Sequence, residues 1–223
     1  MTGVFITSSG TEIGKTFVTC ALIHQLRTAG QRVAALKPVA SGFDVDAVEE
    51  TDTGVLLSAL NCPLDQSHIE SISPWRFIEP LSPDMAAARE NRSIPFGALT
   101  EFCTTSRAAD VTLIEGIGGV MVPLDETHTV LDWIIAVGAP VLLVTGGYLG
   151  SLSHTLTALG MLQSHQLQIA GILVNESEEQ PVSLDETAAV LRRFSGSVPV
   201  VSLPRLPSYT DTPDLLPLLE DYL

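Results

Sequence analysis

The feature that most constrains this chain is the stretch Val4-Phe5-Ile6-Thr7-Ser8-Ser9-Gly10-Thr11-Glu12-Ile13-Gly14-Lys15-Thr16. A short β-branched and aromatic run feeds a loop of small residues. The loop opens an amphipathic segment at Phe17, with Leu22, Ile23 and Leu26 on one face and Gly30 at its end. That order reads as strand, loop, helix, with Gly14-Lys15-Thr16 at the helix mouth. Unpaired backbone N–H groups and the positive end of the helix dipole favour phosphate at such a point. Lys15 would reach the outer phosphates, and the Thr16 hydroxyl would bind Mg2+. The spacing departs from the usual glycine, four residues, then Gly-Lys-Ser/Thr. Ser9 stands where the first glycine belongs, and Gly10 leaves three residues before Gly14. A glycine-bearing turn with a surface lysine is the plainer reading, and the position between strand and helix speaks against it.

Apolar runs and helical periods alternate through the rest of the chain. Strand Gly3–Thr7 leads to helix Thr16–Ala29, and strand Arg32–Lys37 stops at Pro38. A loop over Val39–Glu50 holds Ser41-Gly42 and an acidic run, and a helix near Asp52–Leu60 follows. The stretch 62–83, broken by Pro63, Pro74, Pro80 and Pro83, reads as an irregular excursion. Helices near Pro83–Glu90 and Pro95–Ala108 precede a buried strand, Val111–Glu115, which ends in Gly116-Ile117-Gly118-Gly119. Helix Thr129–Val137, strand Pro140–Thr145, helix Ser151–Ser164 and strand Ile169–Asn175 follow. Helix Leu184–Phe194, strand Val198–Leu203 and a short helix, Pro213–Tyr222, end the series. This alternation predicts an α/β chain, one domain over residues 1–223, with a mostly parallel sheet covered by helices on both faces. Ligands of such sheets sit at the carboxyl ends of the strands. Lys15, Lys37, Glu115, Gly146 and Asn175 all fall at or just past such ends.

Composition narrows the partners. A net charge of −15 argues against nucleic acid or an anionic membrane. Hydrophobic residues make up 45% and aromatics only 5%, as expected of an aliphatic, buried parallel sheet. Of 11 basic residues two are lysines, Lys15 and Lys37. A chain nearly without lysine that keeps one in a phosphate loop draws attention to the other. Cys20, Cys62 and Cys103 fit neither a disulfide framework nor a zinc site, which implies a reducing, cytoplasmic setting. The N-terminus lacks a signal-peptide pattern, and no apolar run approaches the roughly 18 residues of a membrane span. The five histidines show no metal spacing.

Four stretches together resemble the dethiobiotin synthetase family: Thr11-Glu12-Ile13-Gly14-Lys15-Thr16, Leu36-Lys37-Pro38-Val39-Ala40-Ser41-Gly42, Glu115-Gly116-Ile117-Gly118-Gly119 and Val174-Asn175. The Lys37–Gly42 stretch is the most specific of them. Pro80-Leu81-Ser82-Pro83 and Val122-Pro123-Leu124 add to the likeness. The resemblance implies a P-loop NTPase fold, a homodimer, ATP as co-substrate with Mg2+, and 7,8-diaminopelargonic acid and CO2 as the other substrates. It implies ring closure through a carbamate and a carbamic–phosphoric anhydride, releasing ADP and phosphate.

The resemblance also implies roles. Lys15 would neutralise the β- and γ-phosphates, Lys37 would hold carbamate and γ-phosphate together, and Thr11 and Ser41 would offer hydroxyls to their oxygens. Glu12, Ile13, Gly14, Thr16 and Phe17 would surround the phosphates, with Glu115 and Gly118 beneath. Asn175, Pro204 and Arg205 would lie by the base, although an asparagine also suits a strand-ending turn. Gly150, Ser151, Leu152 and Ser153 open a helix whose N–H groups would take the substrate's carboxylate, unless Ser151 is simply an N-cap. Thr16, Asp52 and Glu115 would be the oxygen ligands of Mg2+. Asp52 suits a helix N-cap equally, and Asp44, Asp46, Glu49 and Glu50 compete for its place. The family commonly carries Gly-Thr-Asp-Thr where this chain has Ser8-Ser9-Gly10-Thr11, and alanine where it has Ile117. These changes bear on loop geometry and nucleotide preference. The rival readings are a regulatory or partitioning ATPase with a deviant P-loop, and a non-catalytic nucleotide-binding relative.

Overall fold

The computed structural model describes residues 2–105 and 108–223. The chain opens with β1 (Thr2–Ser8), in which Val4, Phe5 and Ile6 are all fully buried. Successive residues of a strand point to opposite faces, so burial of all three means cover on both. α1 (Lys15–Thr28) and β2 (Val33–Leu36) follow. β3 (Val39–Ser41), α2 (Asp52–Ala59), α3 (Gln66–Ile72) and β4 (Trp75–Phe77) form an excursion, and α4 (Pro83–Arg89) and α5 (Phe96–Thr104) lead back to β5 (Val111–Glu115). α6 (Val130–Val137), β6 (Val141–Gly146), α7 (Ser151–Ser164), β7 (Ile169–Asn175), α8 (Leu184–Phe194) and β8 (Val200–Leu203) complete the alternation.

Six strands lie in the order β2-β5-β1-β6-β7-β8, and every pairing in that sheet is parallel. β1 therefore sits between β5 and β6, where successive connections leave in opposite directions. Such a switch point opens a crevice at the carboxyl ends of the strands. The five residues of β5 and the six of β6 are all buried. Phe5 meets Trp133 of α6 edge-on, with ring centroids 4.8 Å apart, a favoured aromatic geometry.

The expected elements recur with shifts of a residue or two at most ends, and β5, α7, β7 and α8 keep their expected bounds. The stretch 62–83 is a correction. It holds α3 and β4, and β4 pairs in parallel with β3, inside the expected Val39–Glu50 loop. The Asp65 side chain caps α3 by accepting from the His68 N–H. Ile69 and Ile72 face the core, and Pro74 falls between the elements rather than inside one. The expected helix Pro213–Tyr222 instead breaks into 3-10 turns at Leu216–Leu218 and Glu220–Tyr222. Pro217 removes a donor that a continuous helix would need. The expected helix Pro95–Ala108 is α5, which ends at Thr104; residues 106 and 107 lie outside the described residues. No described helix is long and apolar enough to cross a membrane.

Candidate active site

Register alone assembles most of the site. Ile6 pairs with Glu115, and Leu36 pairs with Ile114, so Lys37, one residue past β2, arrives beside Glu115. On the other flank Gly146 pairs with Asn175. Above these ends lies a cavity of about 860 Å³. Thr11, Glu12, Ile13, Gly14, Lys15 and Thr16 line one wall, and Lys37, Ser41, Asp52 and Gly118 contribute to the rest.

The phosphate loop is built from positions where the backbone is unusual. Glu12 has φ 56° and Gly14 φ 87°, both in the left-handed region. That region costs a side chain about 1–2 kcal/mol, and glycine occupies it without strain. Gly14 is the N-cap of α1 and donates no side-chain cap, and the first turn carries no acid. The first N–H groups of α1 are thus left for a ligand. Asn175 holds the loop from behind: its Nδ2 donates to the Ile13 carbonyl at 2.7 Å. A β-carbon on Gly14 would fall 2.3 Å from that nitrogen. Among the described residues nothing donates to the buried Asn175 Oδ1, so half of the amide is free for a donor.

Below the loop, four side chains form one network. Lys37 Nζ donates to Glu115 Oε1 at 2.7 Å and to the Gly116 carbonyl at 3.0 Å, and it lies 3.0 Å from Asp52 Oδ2. The Thr16 hydroxyl lies 2.7 Å from Asp52 Oδ1 and 2.9 Å from Glu115 Oε1. Lys15 Nζ donates to Ser8 Oγ at 3.0 Å and to the Gly118 carbonyl at 3.3 Å. Asp52 is not an N-cap. Thr51 caps α2 by accepting from the Gly54 N–H, which frees the Asp52 carboxylate to turn toward Lys37. Among the described residues, none of Asp44, Asp46, Glu49 and Glu50 hydrogen-bonds or pairs with Lys37 or Thr16.

Comparison with known proteins decides the lineage. A family model described as an AAA domain matches residues 2–212. The ATP-dependent dethiobiotin synthetase BioD of Acidiphilium cryptum is 48% identical over 202 residues, covering 89% of this chain and 91% of the relative. That of Caulobacter vibrioides is 41% identical over 222 residues, covering 98% and 99%. The chain belongs to the dethiobiotin synthetase family. Membership makes it an ATP-dependent ligase. Solved structures bear on the fold alone. The MinC:MinD cell division complex of Aquifex aeolicus superposes with a TM-score of 0.56 at 12% identity, covering 93% of this chain and 82% of that one. Chloroplast FtsY of Physcomitrella patens gives 0.51 at 15% identity, covering 99% of this chain, which spans 65% of that protein's length. Both are P-loop NTPase folds, as the sheet order is.

The electrostatics distinguish the synthetase's two lysines. Burial, aided by the neighbouring Lys37 charge, pulls the Lys15 ammonium from its ordinary 10.5 down to about 8. Burial acts on Lys37 in the same direction, yet Glu115 and Asp52 together outweigh it and hold that ammonium above its ordinary value. The Lys37 charge in turn holds half-exposed Asp52 below the usual carboxylate range. Two cations face two anions, so the pocket floor carries no net charge with both lysines protonated. The donor set suits a hard divalent cation: a hydroxyl lying 2.7 and 2.9 Å from two carboxylates, all oxygen. Among the described residues no three His, Cys, Asp or Glu side chains are grouped to hold a metal ion, so the ion would keep water and phosphate oxygens in its shell.

Other expected residues stand apart from this floor. Gly150, Ser151, Leu152, Ser153, Pro204 and Arg205 do not line the cavity. Gly150, with φ 96°, is the N-cap of α7, and Ser151 is the helix's first residue. The Arg205 N–H is tied to Glu176 Oε2 at 2.9 Å. Phe17 packs its ring against the core. Two contributors escaped the sequence reading. Ser8 receives Lys15, and the Thr19 hydroxyl lies 2.8 Å from Glu115 Oε2 and 2.9 Å from the Lys15 carbonyl. Thr19 lies four residues after Lys15, on the same helix face, which is the signal that could have found it.

Proposed function

We propose that this cavity closes the ureido ring of dethiobiotin from 7,8-diaminopelargonic acid, CO2 and ATP. The observation carrying the reading is the Lys37 ammonium, buried against Glu115 and Asp52 on the floor of a cavity whose wall is the phosphate loop. One amine of the substrate would add to CO2 and lose a proton, giving a carbamate. A carbamate oxygen would attack the γ-phosphorus as ADP leaves. The second amine would then attack the carbonyl carbon of the mixed anhydride, closing the ring and expelling phosphate.

That chemistry asks the protein mainly for placement and charge. Lys15 and the open N–H groups of α1 would cradle the outer phosphates. Lys37 would sit where carbamate and γ-phosphate meet, with Thr11 and Ser41 as hydroxyl donors at the rim. The floor is neutral as it stands, and a triphosphate needs further positive charge. Thr16, Asp52 and Glu115 would hold Mg2+, which neutralises phosphate charge when bound. The free Oδ1 of Asn175 would accept from an N–H of the purine. The open mouth of α7, from Gly150 to Ser153, would take the substrate carboxylate across a dimer interface.

The test is phosphate release from MgATP with bicarbonate, with and without the diamine, and mass detection of the product. Turnover that requires the diamine and yields dethiobiotin is the expected result. Hydrolysis indifferent to the diamine would make the protein a switch ATPase instead.

A further inference from the structure

The phosphate loop and the mouth of α7 lie at the ends of adjacent strands, and a file of hydroxyls joins them. Ser9 Oγ lies 2.8 Å from Thr145 Oγ1, and Thr145 Oγ1 lies 2.6 Å from Thr155 Oγ1. The Thr155 hydroxyl lies 2.6 Å from the Ser151 carbonyl. Thr145 and Thr155 are completely buried. A carbonyl can only accept and each hydroxyl has one proton, which fixes the direction of the whole chain. Thr155 donates to Ser151, so Thr145 donates to Thr155, and Ser9 donates to Thr145. Aligned hydroxyls of this kind polarise one another. Ser9 is also one of the residues that set this loop apart from the usual spacing.

A second strut runs outside the first. The Tyr148 hydroxyl and His154 Nδ1 are 2.9 Å apart, and that hydroxyl would lie 3.4 Å from a β-carbon on Gly10. Both helices served by these struts start at a left-handed glycine without a side-chain cap, Gly14 for α1 and Gly150 for α7. A displacement of Ser9 on phosphate binding would therefore be felt at the first turn of α7.

We propose that Ser9, Thr145 and Thr155 are positioning residues that couple occupation of the phosphate loop to ligand binding at the α7 mouth. This rests on the reading in which that mouth takes the substrate carboxylate.

The test is calorimetric titration of 7,8-diaminopelargonic acid with and without saturating Mg2+ and β,γ-methylene ATP. The ratio of the two Kd values is the coupling factor, expected at about fivefold or more in the wild type. Thr145→Val and Ser9→Ala should each bring it close to one, and the double variant should do no more than either. Thr145→Ser, which keeps the hydroxyl, should restore the wild-type ratio, an outcome that packing alone would not produce. If Thr145→Val fails to fold, Ser9→Ala on the loop surface carries the test. A wild-type ratio of one, or an unchanged ratio in the variants while dethiobiotin is still made, overturns the relay. Absence of dethiobiotin in the wild type overturns the reading of the site, and the relay with it.

Discussion

If Lys15 holds the outer phosphates as proposed, the affinity for nucleotide should depend on pH in a way that can be worked out in advance. Its ammonium is buried and titrates at about 8 in the ligand-free protein, whereas a bound triphosphate would hold it charged well above that. Lys37 and Asp52 are shifted away from this range, upward and downward respectively. About nine-tenths of Lys15 is charged at pH 7 and about one-tenth at pH 9. Apparent affinity for MgATP should therefore fall roughly tenfold between them, about 1.4 kcal/mol. Binding at pH 8 should take up about half a proton. Calorimetry in two buffers of different ionisation heat reads both quantities. An affinity flat from pH 7 to 9 with no proton uptake would refute the assignment of Lys15 as the titrating phosphate ligand. The same shift acts on stability with a definite sign. The folded value lies below the ordinary 10.5, so folding releases a proton between about 8 and 10.5 and the ligand-free protein gains stability as pH rises through that window. Lys15→Met should accordingly raise the Tm at pH 7 while abolishing nucleotide binding.

Three further perturbations test the floor and the loop. Lys37→Ala should abolish ring closure and also lower stability by about 3–5 kcal/mol, because Glu115 is left as a fully buried uncompensated anion. Adding Glu115→Gln should recover most of the stability and none of the turnover, as denaturant melts and product assays would show. Gly54→Ala would place a β-carbon 2.0 Å from the Val48 carbonyl oxygen. It should cost about 1–3 kcal/mol and cut kcat by shifting α2 and with it Asp52, while an unchanged kcat would mean that Asp52 is not needed. Gly14→Ala should unseat Asn175 from Ile13 and weaken nucleotide binding at least about tenfold, measured against Asn175→Ala, which should account for only part of the loss.

The parts of this structure legible in the chain were those bounded by local physics. β5, α7, β7 and α8 have apolar runs or amphipathic periods closed by Gly, Asn or a capping box, and their ends fell as expected. The β3–β4 pair did not, because strands of three residues carry little local pattern and are held by a partner distant in sequence. Prolines there fall between elements, and in the sequence such punctuation looks the same as an absence of elements. In the site, Lys15, Lys37 and Glu115 could be placed at strand ends from the sequence, and register did the rest. That Thr51 rather than Asp52 takes the α2 cap is a matter of side-chain geometry, which the acidic run does not reveal. The link from Ser9 to Thr145 spans 136 positions and leaves no trace in either stretch.

The scarcity of lysine has a practical consequence. Both ε-amines of this protein sit on the floor or wall of the same cavity. Selective 15N labelling of lysine would thus yield a spectrum of two side-chain resonances, each reporting on the site and neither obscured by the surface. One should move with pH near 8 and the other stay still. Nucleotide, metal and diamine could then be added in turn and followed atom by atom, in a protein that would need no further engineering to be observed.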